Sequence, residues 1–155
     1  MSTGTLTLHR FNGDEIYPVV SATIRHHKDE DGAYAITFRA ETCGPPIQTL
    51  PDTESLHAQP SAEWTLTQPK IPAVVLRTGA RFAIPQGYDE TTGEYLTNLY
   101  YCDHEPMDEN EIVVLERSGL QVRARITALA TDANFYDGSK ARMKVVVEAD
   151  FTLGV

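Results

Sequence analysis

Alternation of apolar and polar residues with a period of two is the feature that most restricts this chain, because only a strand with one buried face requires it. In "AYAITFRAETC", Tyr34, Ile36, Phe38 and Ala40 fall on one face and Thr37, Arg39 and Glu41 on the other. The pattern returns with Leu120, Val122, Ala124, Ile126 and Ala128 against Gln121, Arg123, Arg125 and Thr127. It returns again with Met143, Val145, Val147, Ala149, Phe151 and Leu153 against Lys144, Glu148 and Asp150. Shorter or noisier segments of the same kind are Thr5 to Phe11, Glu15 to His27, Glu63 to Gln68, Ala73 to Arg77, Ala80 to Ile84, Tyr95 to Asp103 and Ile112 to Arg117. No long amphipathic helical repeat competes with them.

Turn dipeptides punctuate these segments at Asn12-Gly13, Asp31-Gly32, Thr78-Gly79, Ser118-Gly119 and Asp137-Gly138. The chain is therefore expected to be all-β, a single-domain antiparallel sandwich or barrel of about eight to ten strands. Both architectures give the same alternation. At 155 residues and 41% hydrophobic content, residues 1–155 suit one domain. A long Pro-rich loop interrupts it at 44–62, where four prolines break any sheet and Asp52 or Thr53 could cap one helical turn through Gln59.

Composition narrows the function classes. A net charge of −9 opposes nucleic acid and anionic lipid. No run approaches the ~18 apolar residues of a membrane span, and the first twenty residues lack the pattern of a signal peptide. A cytoplasmic protein is expected, with Cys43 and Cys102 as reduced thiols.

Half of the acids lie in three runs between alternating segments: Asp29 to Asp31, Tyr88 to Glu94 and Asp103 to Glu111. The last four strands, joined by short connections, most simply form a meander whose tips alternate between ends. The tips at Asp103 to Glu111 and Thr131 to Lys140 would then share one end, about 10 Å apart. Asp103, Asp108, Glu109, Asp132 and Asp137 would line a common rim.

Cys102 and His104 at i and i+2 could supply two soft metal ligands, but two more would have to come from afar, and a packed thiol followed by a solvated imidazole is the simpler reading. Calcium is an alternative on the rim, with Asp132 and Asp137 as candidate ligands. "DANFYDG" departs from an EF-hand loop, since Tyr136 stands where an oxygen ligand belongs. Nucleophilic catalysis lacks a G-x-S-x-G elbow. His26 and His27 end a strand facing opposite ways, and no glycine-rich loop leads into a helix to hold phosphate. Arg123 and Arg125 face Glu148 and Asp150 across strands, which suggests ion pairs rather than an anion site.

Aromatic residues at strand ends and tips remain: Tyr101, Phe135 and Tyr136, with Asp103 and Asp108 beside them, are the candidate binding residues. The expectation is a non-catalytic soluble domain that binds a protein partner or its own copy through an acidic, aromatic-bearing rim, with no cofactor. The rival is a calcium-dependent carbohydrate-binding module, or a small metal-assisted hydrolase, with its site on the same rim.

Overall fold

The computed structural model describes residues 3–28, 34–47, 59–68, 76–101, 103–133 and 135–154. Strands alone carry the fold, and no helix occurs among these residues. In chain order they are β1 (Gly4–Arg10), β2 (Gly13–Lys28), β3 (Tyr34–Thr42), β4 (Ser61–Gln68), β5 (Arg81–Ile84), β6 (Tyr88–Asp89), β7 (Glu94–Tyr95), β8 (Thr97–Tyr100), β9 (His104–Glu105), β10 (Asp108–Ser118), β11 (Gln121–Ala130) and β12 (Met143–Leu153). Ten form one sheet in the order β5-β10-β11-β12-β1-β2-β3-β4-β8-β9, and β6 pairs with β7 as a separate hairpin. Neighbours run antiparallel. The exception is a short parallel pairing of Thr152 and Leu153 in β12 with Thr23 and Ile24 in β2, beyond the Gly4 end where β1 begins.

This order forces the sheet to curl. β9 and β10 are separated by seven strands in the sheet, which in a flat sheet would place them about 38 Å apart at ~4.8 Å per step. Only Pro106 and Met107 connect them, a span of at most ~11 Å. The two sides of the sheet must therefore approach each other, and buried polar contacts hold them there. Trp64 Nε1 on β4 donates to Asn110 Oδ1 on β10 at 2.9 Å. Asn110 Nδ2 in turn donates to the carbonyls of Ile84 and Met107. Thr97 of β8 donates through Oγ1 to Met107 O and accepts from Met107 N. Closure is incomplete: β8 covers β4 only from Ser61 to Trp64, and a cleft of about 620 Å³ separates Thr65–Thr67 from Arg81–Ile84.

Alternation translates into burial as expected. Val122, Ala124, Ile126 and Ala128 of β11, Met143 through Leu153 at every second position of β12, and Ile36, Phe38 and Ala40 of β3 join one apolar core. Inside the curl, Phe38 and Phe151 meet edge to face with centroids 5.4 Å apart. His27 is exposed and His26 half-buried, in keeping with opposite facing at the strand end.

Several segments differ from expectation. Leu120 leaves the inward row because it occupies the turn after Gly119, where it is exposed. Leu76 and Arg77 are not in a strand, although Leu76 is buried, and the rest of the expected Ala73 to Arg77 strand lies outside the described residues. The expected Tyr95 to Asp103 strand is broken into β7 and β8, with Leu96 bonding back to Gly87. The Pro-rich loop ends earlier than expected, since Ser61 and Ala62 already pair with β3. The expected helical turn from Asp52 or Thr53 through Gln59 lies, apart from Gln59 itself, outside the described residues.

On the outer face the basic residues of β11 find the acids of β12. Arg123 bridges Glu148 at 2.8 Å and Asp150 at 3.1 Å, and Arg125 reaches Glu148 at 2.9 Å. Burial pushes the Glu148 carboxyl up, but hydrogen bonds from Arg123 and Arg125 outweigh it and hold its pKa below the ordinary 4.5. A carboxyl depressed in the folded state contributes stability that is complete above its unfolded value and is lost as pH falls through the folded one. Glu148→Gln is therefore expected to flatten the loss of thermal stability between roughly pH 5 and pH 3 relative to the parent. At the seam, Trp64→Phe leaves Asn110 Oδ1 buried without its donor and is expected to cost about 1–3 kcal/mol in urea unfolding followed by circular dichroism.

Candidate functional site

The site is built on an unusual placement of charge. Leu6 and Leu8 of β1 face the core, and the next residue of the same parity is Arg10. Across the Phe11–Asn12 turn, the inward row of β2 begins with Glu15 and continues with Tyr17 and Val19. A cation and an anion thus enter the core side by side at one end of the sheet.

Arg10 is nearly fully engaged. Its Nη1 donates to Glu15 Oε2 at 2.9 Å. Its Nη2 and Nε fork onto Asp132, to Oδ1 at 2.9 Å and Oδ2 at 3.3 Å. Nη2 also donates to the Ala133 carbonyl at 2.8 Å. The far oxygen of Glu15 accepts from Tyr17 and Tyr101 hydroxyls at 2.9 and 3.0 Å. Side-chain exposure is 1% for Arg10 and 0% for both carboxylates, so the charges rely on each other rather than on water. Burial opposes the guanidinium charge, yet hydrogen bonds and attraction from Asp132 and Glu15 outweigh it and raise the Arg10 pKa.

Directly outside this cluster lies an aromatic pair, with Phe11 exposed and Phe135 half-buried. Phe11, 46% exposed, meets Phe135 edge to face with centroids 5.5 Å apart. Lys140 Nζ stands 5.0 Å from the Phe11 centroid and 5.1 Å from that of Phe135, and the Arg10 guanidinium approaches Phe11 at 5.8 Å. The rings therefore sit on a charged foundation, with a cation across them.

The expected site residues are distributed unevenly around this centre. Phe135 belongs to the aromatic pair and Tyr136 beside it is half-buried. Tyr101 is not a rim residue: it is 1% exposed, turned inward by its hydrogen bond to Glu15. Asp132 is likewise not an exposed rim carboxylate, because Arg10 takes both of its oxygens. Asp137 is exposed, and its Oδ1 accepts from the Ser139 backbone N–H, which holds its pKa low and stabilises the local turn. Asp108 pairs with Arg142 at 2.9 Å and caps Gly87 N through its other oxygen. Asp103 is exposed and accepts from His104 N. Glu109 is exposed with φ of 50°, in the irregular stretch where β10 shifts register against β11.

The two expected tips do lie at the same end, since Asp108 stands opposite Leu129 and bonds to Arg142. The meander, however, holds only for β10, β11 and β12, because β8 pairs with β4 instead of β10. Among the described residues, no three His, Cys, Asp or Glu side chains converge as a metal set. Cys102 and Asn134 lie outside those residues, and His104 bonds to Asn98 rather than to a ligand partner.

Sequence reasoning overlooked Arg10, Glu15, Phe11 and Lys140. A signal was present: "LHRFNGDEIY" places a cation and an anion on the apolar parity of two strands joined by a tight turn. A charge on that parity demands a partner, and the hairpin brings the opposite charge alongside. Lys140 gave no comparable signal.

Scans against protein-family models, curated proteins and solved structures return no significant match for this chain.

Removing Asp132 takes both carboxylate contacts from Arg10 Nε and Nη2 in the core and leaves Glu15 as its one charged partner. Asp132→Ala is expected to lower urea stability by about 3–5 kcal/mol, and the loss should be the same in calcium and in chelator. A calcium-dependent difference would reassign Asp132 as a metal ligand.

Proposed function

We propose that this protein is a non-catalytic binding domain that engages a protein partner, or a second copy of itself, through the rim bearing Phe11, Phe135, Tyr136 and Lys140. One observation carries the reading: a phenylalanine pair, Phe11 exposed and Phe135 half-buried, is mounted on a buried Arg10–Glu15–Asp132 cluster. Exposed rings on a mobile loop would lose ordering entropy on association, whereas rings already held in place lose less. Aromatic anchors of this kind dominate the energetics of protein interfaces.

The surroundings support a partner with charge. Asp103, Glu109 and Asp137 are exposed at the same end, while Asp132 and Asp108 are neutralised internally by Arg10 and Arg142. The rim therefore offers a small apolar and cationic centre within an acidic margin. Such an arrangement suits a partner presenting an apolar or acidic contact surrounded by basic side chains. No helix among the described residues is long and apolar enough to cross a membrane, and the two cysteines fit a reducing compartment, so we assign the protein to the cytoplasm.

The test joins Phe11→Ala, Phe135→Ala and Lys140→Glu in one variant and measures it beside the parent. Sedimentation velocity follows self-association, and quantitative affinity capture follows partners. The variant is expected to keep its unfolding free energy within about 1 kcal/mol of the parent and to lose at least tenfold in one of the two association readouts. Identical association in both overturns the reading.

A further inference from the structure

A second surface, on the outer face of the sheet and away from the ionic cluster, has the makings of a small-ligand site. Register places Arg39 of β3 opposite Glu63 of β4, and Glu63 opposite Asn98 of β8. His104 of β9 completes the row through a hydrogen bond with Asn98 at 2.6 Å. Beside this row is an open cleft of about 310 Å³ lined by Glu63, Tyr95, Leu96, Thr97, Asn98 and His104. That volume is at the lower end of the ~300–1,000 Å³ typical of small-ligand clefts.

The polar groups are fixed before anything binds. Arg39 holds Glu63 at 3.2 Å and Glu41 at 2.6 Å, orienting the carboxylate along the sheet. At the other end, Asn98 Nδ2 is the donor to His104 Nδ1, so that nitrogen accepts and the imidazole carries its proton on Nε2. Asn98 Oδ1 then remains buried with no hydrogen-bond partner among the described residues, an arrangement a donor would relieve. His104 is steadied by the Tyr100 ring, 4.7 Å away between centroids.

An aromatic wall stands over the row. Tyr95 is 59% exposed and leans on Tyr88 at 5.0 Å across the β6–β7 hairpin. The hairpin is rooted at Gly87, whose carbonyl accepts from both Leu96 N and Thr97 N. No side chain fits at that root: a Cβ on Gly87 would collide with Thr97 Oγ1 and the Met107 carbonyl.

Charge and geometry together select the ligand. One arginine faces two glutamates in the row and the whole chain carries −9, which disfavours phosphate and other anions. A purely apolar ligand would leave Glu63 and His104 desolvated without recompense. What fits is a ring with adjacent hydroxyls, each able both to donate to a carboxylate or amide oxygen and to accept from an imidazole N–H, and with a C–H face to lie on tyrosine. We infer that this cleft binds a neutral sugar residue, without calcium, using Tyr95 as the stacking platform and Glu63, Asn98 and His104 as the hydroxyl-reading groups.

Saturation-transfer NMR tests this with glucose, galactose, mannose and N-acetylglucosamine, each in chelator, and with adenosine as the aromatic competitor class. At least one sugar is expected to bind with a dissociation constant of roughly a millimolar. Tyr95→Ala and Glu63→Gln should each weaken it tenfold or more, while Tyr95→Trp should preserve or tighten it. Leu120→Ala, and the Phe11, Phe135 and Lys140 rim variant, should leave it unchanged, which separates this site from the rim. The inference is overturned if none of the four sugars shows transfer, if adenosine alone binds, or if binding survives Tyr95→Ala with Glu63→Gln.

Discussion

One guanidinium, buried between two carboxylates, sets the end of this molecule from which the proposed rim is built. Arg10 binds Glu15 from the same hairpin and Asp132 from a segment more than a hundred residues away, and Glu15 gathers Tyr17 and Tyr101. Four parts of the chain thus share one cluster: the end of β1, the start of β2, the residue after β8, and the connection from β11 to β12. An apolar set of similar volume could have filled this space at equal or better stability, because desolvating charges costs several kcal/mol per ion. The fork of Arg10 supplies direction: its three nitrogens donate only to acceptors placed at set angles. That is why Phe11, adjacent to Arg10 in sequence, and Phe135, two residues after Ala133, meet at a defined angle.

The seam solves a different problem with the same means. A sheet whose eighth and second strands must meet cannot rely on a ladder between them, since β8 covers only half of β4 and β5 is short. Trp64, Asn110 and Thr97 link the sides by buried side-chain hydrogen bonds where backbone pairing is missing. Among the described residues, the one other buried polar residue is Thr42, whose hydroxyl donates to the Pro60 carbonyl. Polar groups therefore enter this core where chain segments distant in sequence must be joined in one arrangement, a pattern that favours specificity over gross stability.

Much of the fold was legible because burial on one face leaves a period of two that nothing else mimics. β3, β11 and β12 follow their expected rows closely, whereas Leu120 shows the limit: parity cannot tell where a strand gives way to its turn. Strand order was less accessible. Short connections argued for β8 beside β10, but the sheet places that neighbour across a curl, and a curl depends on side chains such as Trp64 and Asn110 that carry no local signature. At the rim, Phe135 stands at the tip where it was expected, while Tyr101 and Asp132 were misplaced outward because their partners, Glu15 and Arg10, were read only as parts of strands. Polarity at a tip suggested exposure; it reflected a buried bond to a residue far away in sequence.

The outer faces of the sheet show where surface charge is and is not spent on the fold. Across β11 and β12, Arg123 and Arg125 meet Glu148 and Asp150, two against two, and each group is occupied. Across β3, β4 and β8, Arg39 alone meets Glu41 and Glu63, and the row continues into an amide and an imidazole rather than a second cation. The first face is self-satisfied and offers little to a ligand beyond screened ion pairs. The second keeps an excess acceptor next to exposed rings. In a chain whose acids outnumber its bases by nine, an unmatched carboxylate is commonplace; one positioned by an arginine, beside a fixed imidazole and beneath a braced tyrosine, is a recognition geometry.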